Sequence, residues 1–129
     1  MLAIDTNVIV RYLTADHPAQ SAKARALIDG ADVFVCTTVL LETEWVLRSA
    51  YGLTPVEVAR ALGAFAGLPR VTLEDAMLTA KALDWTNRGM DFADALHLAK
   101  AEGCDAMVSF DRRLARTATK LSDVEVRTL

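Results

Sequence analysis

Four carboxylates in this chain fall where an open α/β sheet places its chemistry. Asp5 ends the apolar run Leu2-Ala3-Ile4, and Asp111 ends the run Ala106 to Phe110. Ligands of open α/β sheets bind beyond strand carboxyl ends, so both acids are expected on one edge. Glu42 lies about one turn into the helix that follows a second apolar run, and Asp94 lies in the first turn of a helix that Asp91 caps. Both helix starts face that same edge, so the four acids can converge there. Gathered carboxylates raise one another's pKa, and a cation must offset the repulsion. With oxygen donors only, and no Cys or His at ligand spacing, the cation expected is Mg²⁺ or Mn²⁺ rather than zinc. One or two such ions would activate water and stabilise the leaving oxygen in phosphodiester hydrolysis.

Taken singly, the acids have plainer roles. Asp5, Asp91 and Asp111 each precede a helical segment and can serve as its N-cap. Glu42 is harder to explain that way, because Val39, Leu40, Leu41, Val46 and Leu47 surround it with apolar residues.

The elements that must position these acids alternate along the chain. A strand before Asp5 gives way to a helix over Asn7 to Leu13, and Asp16 with Pro18 reads as the N-terminus of a second helix that Gly30 stops. Val33 to Cys36 is β-branched and aromatic enough for a buried strand. Thr37 or Thr38 can then cap a helix running to Tyr51, with Gly52 after its end. Thr54-Pro55-Val56-Glu57 is a capping box that opens a fourth helix. A short strand over Val71 to Leu73, a helix from Glu74 to Arg88 and the Asp91 helix ending at Gly103 follow. The strand Ala106 to Phe110, a short helix from Asp111 to Ala118 and a last strand over Val124 to Arg127 complete the order. This alternation predicts a three-layer α/β/α fold with a central, mostly parallel sheet.

Composition sets outer limits. The 129 residues are 53% hydrophobic and 24% charged, the balance of one globular domain, expected over 1–129 without linker or repeat. A core of that size holds a fold without disulfide or metal. The net charge of −3 excludes nucleic-acid binding through bulk charge and leaves only a local site. No apolar run approaches the length of a membrane span, and the approach to Asp5 lacks the pattern of a secretory signal, so a cytoplasmic location is expected. Cys36 and Cys104 lack any metal spacing and are expected to be buried reduced thiols.

The motifs together are more specific than any one of them. Ile4-Asp5-Thr6-Asn7, Leu41-Glu42-Thr43-Glu44-Trp45-Val46-Leu47, Asp91-Phe92-Ala93-Asp94-Ala95-Leu96 and Ser109-Phe110-Asp111 follow in order, with intervals of 37, 52 and 17 residues from Asp5 to Glu42 to Asp94 to Asp111. In these motifs the chain resembles the PIN-domain ribonucleases, most closely the VapC-type toxins of toxin–antitoxin pairs, over nearly its whole length. The resemblance implies that Asp5, Glu42, Asp94 and Asp111 hold Mg²⁺ or Mn²⁺ and position the attacking water. It implies supporting roles for Thr6 and Asn7 around the pocket, and for Asp91 as a supporting residue or occasional ligand. Ser109 stands where the family often has threonine, which keeps the hydroxyl. Endonucleolytic cleavage of structured RNA, a homodimer and inhibition by a VapB-type antitoxin are implied as well.

An acidic pocket must still attract a polyanion. The last 19 residues hold Arg112, Arg113, Arg116, Lys120 and Arg127 against three acids, so this segment either contacts RNA phosphates or forms a solvated helix face. His97 reads as a partly buried polar residue before a general acid or base, and Trp45 and Trp85 read as core or interface residues before base-stacking platforms.

Three rivals remain. An aspartyl-phosphate phosphatase commonly has a second acid two residues after its nucleophile, where this chain has Asn7. A phospho-receiver domain needs a Lys that no later strand end supplies, and a non-catalytic PIN-fold partner-binding or regulatory module would have no use for intact acids.

Overall fold

Alternating β-branched residues make β2 (Val33–Val35) the middle of a parallel three-stranded ladder in the computed structural model, which describes residues 1–129. Val33 and Val35 are fully buried. β2 pairs on one side with β1 (Leu2–Ala3), Leu2 opposite Val33, and on the other with β3 (Val71–Leu73), Val35 opposite Leu73. Parallel neighbours need crossovers. These are supplied by α1 (Thr6–Leu13) and α2 (Pro18–Gly30) after β1, and by α3 (Thr37–Ser49) and α4 (Pro55–Ala66) after β2. Ile9, Ile28, Leu40, Leu47, Leu62 and Phe65 fill the core of this unit, Met1–Ala76, and each such buried side chain contributes about 1.5–3 kcal/mol relative to exposure. The Tyr12 ring meets Phe65 edge-on at 5.7 Å.

The second compact unit, Met77–Leu129, takes nearly all of α5 (Ala76–Asn87), with α6 (Phe92–Lys100), β4 (Met107–Ser109), α7 (Arg112–Leu121) and β5 (Val126–Thr128). β4 and β5 pair in parallel, Met107 opposite Val126 and Ser109 opposite Thr128, with α7 as the crossover. Trp85, Phe92, Leu96, Leu98 and Leu114 are buried here. No helix of the chain is long and apolar enough to cross a membrane.

The capping box at Thr54 and Glu57 is present, and α3 ends with Gly52 at φ +67, where the Leu53 N–H donates to the Leu47 carbonyl across the helix end. Two expected caps are replaced. Asp16 does not cap α2, because its carboxylate accepts from the Tyr51 hydroxyl at 2.7 Å and the Thr14 hydroxyl at 2.9 Å. His17 caps instead, its Nδ1 accepting the Gln20 N–H at 3.2 Å. Neither Thr37 nor Thr38 caps α3. Cys36 takes the N-cap position, and the carboxylate of Glu74, beyond β3, accepts the Thr37 N–H at 2.8 Å. Glu74 therefore lies outside α5, and α7 continues past Ala118 to Leu121.

Candidate functional site

In the first unit the candidate residues meet at the end of β1. The Ile4 N–H donates to the Phe34 carbonyl at 3.0 Å, which carries the chain straight to Asp5. Asp5 is the N-cap of α1, with Oδ1 accepting the Thr6 N–H at 2.7 Å and the side chain exposed. The cap uses one oxygen and leaves Oδ2 open. Thr6 is buried, 4% exposed, and its hydroxyl donates to Oε1 of Glu42 on α3. That bond ties two sequence-distant candidate residues together. Asn7 is exposed and makes no side-chain hydrogen bond; it lines a groove of about 340 Å³ with Val8, Arg11, Gln20, Lys23 and Leu27.

Glu42 itself is exposed, although its neighbours in sequence are apolar. The buried carboxylate of α3 is Glu44, 2% exposed, because two residues along a helix turn the side chain through about 200°. Arg48 one turn later grips it with Nε at 2.6 Å and Nη2 at 3.0 Å. The i, i+4 spacing of Glu44 and Arg48 was the available sequence signal for this pair.

The second unit brings Asp91, Asp94, Ser109 and Asp111 together. Asp91 caps α6, accepting the Asp94 N–H at 3.1 Å. Asp111 caps α7 through Oδ1, which accepts the Arg113 N–H at 2.9 Å and the Leu114 N–H at 3.1 Å. Its own N–H donates to Ser109 Oγ at 3.0 Å, so the hydroxyl at this position sets the turn that presents the acid. Asp94 is half-buried and accepts no hydrogen bond. Burial, and then the negative charges of Asp91 and Asp111, push its pKa above the ordinary carboxylate value, with His97 pulling the other way. His97 is exposed rather than partly buried.

Other expected residues fall apart from these clusters. Arg112, Arg113 and Arg116 are exposed on α7, and Trp85 is core while Trp45 is 59% exposed. Cys104 is exposed and Cys36 half-buried, because neither lies within a packed helix or strand. A cavity of the second unit, about 770 Å³, lies at the carboxyl end of α6 among Lys81, Arg88, Glu102 and Cys104, and Asp94 does not line it.

The donors present have the chemistry of a hard divalent cation: carboxylate and hydroxyl oxygens, with open oxygens on Asp5, Asp94 and Asp111. No three His, Cys, Asp or Glu side chains stand close enough in this structure to form a closed metal cluster. The mutual repulsion recorded at Asp94 is the feature that a cation would relieve.

Parallel strands joined by helices, with acids at helix starts, are the arrangement of α/β domains, a class that binds its ligands beyond the strand carboxyl ends. The particular family is shown by its sequence: the PIN domain family matches residues 2–120, and the chain belongs to it. The seven helices and parallel strands are those of the three-layer α/β/α PIN fold. PIN domains are generally nucleases, and PIN nucleases generally use divalent metals. No curated protein matches the chain.

Proposed function

We propose that this PIN domain is a Mg²⁺- or Mn²⁺-dependent endoribonuclease, acting as the cytoplasmic toxin of a type II toxin–antitoxin pair. The observation that supports this most is Asp94, a half-buried carboxylate without a hydrogen-bond donor, repelled by Asp91 and Asp111. Asp91 and Asp111 do the helix capping, whereas Asp94, in the first turn of α6, accepts no hydrogen bond. Asp5, Glu42, Asp94 and Asp111 are assigned to metal binding and water positioning.

Each residue's task follows from its bonds. Asp91 and Asp111 spend one oxygen each on a cap, which fixes the carboxylate plane and leaves the other oxygen for a ligand. Thr6 holds Glu42 in one rotamer, and Ser109 holds the Asp111 backbone. The divalent ion, when bound, supplies activation of water and stabilisation of charge on the phosphate. Pre-set carboxylates let that charge be met without reorganisation.

A VapB-type antitoxin and a second copy of the chain are the proposed protein partners. Regulated expression in a bacterial host tests the toxin role: the wild-type chain is expected to arrest growth and leave discrete RNA cuts, and Asp5→Asn to do neither. Arrest by Asp5→Asn equal to that by wild type would show toxicity without catalysis and favour a non-catalytic binding module.

A further inference from the structure

Helix α7 carries a cationic stripe with no counterpart elsewhere in the chain. At 100° per residue, Arg112, Arg116, Lys120 and Arg113 fall at 0°, 40°, 80° and 100°, within one arc of about 100°. The buried residues Leu114 and Ala118 lie on the opposite side, at about 200° and 240°. No acid occurs between Arg112 and Leu121. The helix therefore buries one face and offers the other as pure positive charge, on a protein whose net charge is −3.

Elsewhere the cations are paired or scattered: Arg25 lies over the Tyr12 ring, Arg70 donates to the Gly30 carbonyl, and Lys23, Arg60 and Lys100 stand singly on α2, α4 and α6. Arg11 pairs with Asp16, Arg48 with Glu44, Lys81 with Glu102, Arg88 with Asp84 and Arg127 with Glu125. The four on α7 make no ion pair and no side-chain hydrogen bond, and all are exposed. Thr117 and Thr119, which flank the arc, turn their hydroxyls back to the Arg113 and Ala115 carbonyls at 2.9 Å, so they do not compete for a ligand. A plain solvated face gains from alternating charge signs along i, i+4 pairs, whereas four like charges on one arc repel. That repulsion is relieved by a polyanion.

We propose that α7 is the phosphate-tracking rail of the protein, docking the backbone of an RNA strand next to Asp111. Arg112, Arg116 and Lys120 rise about 6 Å per step, so they span about 12 Å, a reach suited to successive phosphates of one strand. Arg113 widens the rail on its flank. Such contacts fix position without reading sequence. The inference rests on the ribonuclease reading for its choice of RNA, and the stripe starts one residue after a candidate site carboxylate.

The test is binding of a fluorescent 20-nucleotide single-stranded RNA in EDTA across a salt series, using the full chain. The triple variant Arg112→Gln, Arg116→Gln, Lys120→Gln is compared with Lys23→Gln, Arg60→Gln, Lys100→Gln, which removes the same charge elsewhere. Single strands release about 0.7 counterion per neutralised phosphate, so the α7 variant is expected to lower the log–log salt slope by about 2 and the affinity at 0.15 M salt by about fifty-fold. The control is expected to stay within about twofold of wild type, and Arg112→Lys with Arg116→Lys to keep the wild-type slope. Equal loss in the control, no loss in the α7 variant, or no RNA binding by wild type would each overturn the proposal. So would a poly-glutamate peptide that binds more tightly than RNA with the same dependence on α7, which would make the stripe a protein-docking face. Adding Mn²⁺ to the same RNA separates the two claims. Binding that depends on α7 without any cleavage supports the rail and removes the nuclease; cleavage with binding indifferent to α7 removes the rail and keeps the nuclease.

Discussion

Replacing Thr6 with valine would remove one hydrogen bond and little else. Thr6 is buried and donates to the exposed carboxylate of Glu42, linking the start of α1 to α3. A hydrogen bond to a charged group contributes about 1.5–3 kcal/mol when water cannot replace it. Water can reach Glu42, so the loss of stability is expected to stay below about 1 kcal/mol, and the valine methyl fills the space of the lost hydroxyl. In a domain of this size that is a melting shift of no more than about 4 °C. The functional cost is expected to be larger, because Glu42 would then sample several rotamers. Removing the partner that orients a metal-binding side chain typically costs 10–100-fold in metal affinity or activity. The assay is Mn²⁺ titration of RNA cleavage, reading the half-saturating metal concentration beside thermal unfolding. Thr6→Ser, which keeps the hydroxyl, is expected to track wild type. A Thr6→Val protein with wild-type metal dependence would refute the positioning role, and one that lost about 3 kcal/mol of stability would show that the bond serves the fold.

Three further outcomes follow from the charges. Because burial and two like charges raise the Asp94 pKa in the folded protein, its contribution to stability is full below the ordinary value of 3.8 and is lost as pH rises through the higher folded value. Asp94→Asn should therefore match wild type in thermal unfolding near pH 3 and equal or exceed it at pH 7; a lower melting point at pH 7 would contradict this. Arg48→Met strips the buried Glu44 of both guanidinium bonds, and, since Arg48 is itself 31% exposed, the expected loss is about 2–3 kcal/mol in urea unfolding, with less than about 1 kcal/mol counting against it. Asp16 is held below its ordinary pKa chiefly by the Tyr51 hydroxyl, then by Thr14 and Arg11, so its contribution is present above 3.8 and lost as pH falls through the lower folded value. Tyr51→Phe is expected to move the Asp16 titration, followed by carboxyl NMR, back toward 3.8, and an unmoved titration would assign the shift elsewhere.

Local rules made much of the fold legible. The capping box at Thr54, the glycine after α3, the β-branched run around Val33 and the short apolar run around Val108 all report on short stretches of chain, and the structure follows them. What the sequence concealed depends on partners far along the chain. Asp16 looked like a cap until Tyr51, 35 residues on, claimed its carboxylate, and Thr37 looked like a cap when Glu74 supplies the acceptor. The same limit applies to the site. Asp91 and Asp111 were legible as caps and as candidate ligands, and both cap. The apolar setting of Glu42 in sequence said little about its exposure, since helix phase sends Glu44 inward and Glu42 outward. Family resemblance supplied the remainder, and the match over residues 2–120 upholds it at the level of the PIN domain.

The most direct test of the central claim is cleavage of total cellular RNA by the purified chain, free of any partner, in Mn²⁺, in Mg²⁺ and in EDTA, with the new 5′ ends sequenced for wild type, Asp5→Asn and Asp94→Asn. Discrete cuts that need both a divalent ion and the two carboxylates are the predicted result. Folded wild-type protein that leaves every RNA intact in both metals, or cuts that persist undiminished in Asp94→Asn, would contradict the account.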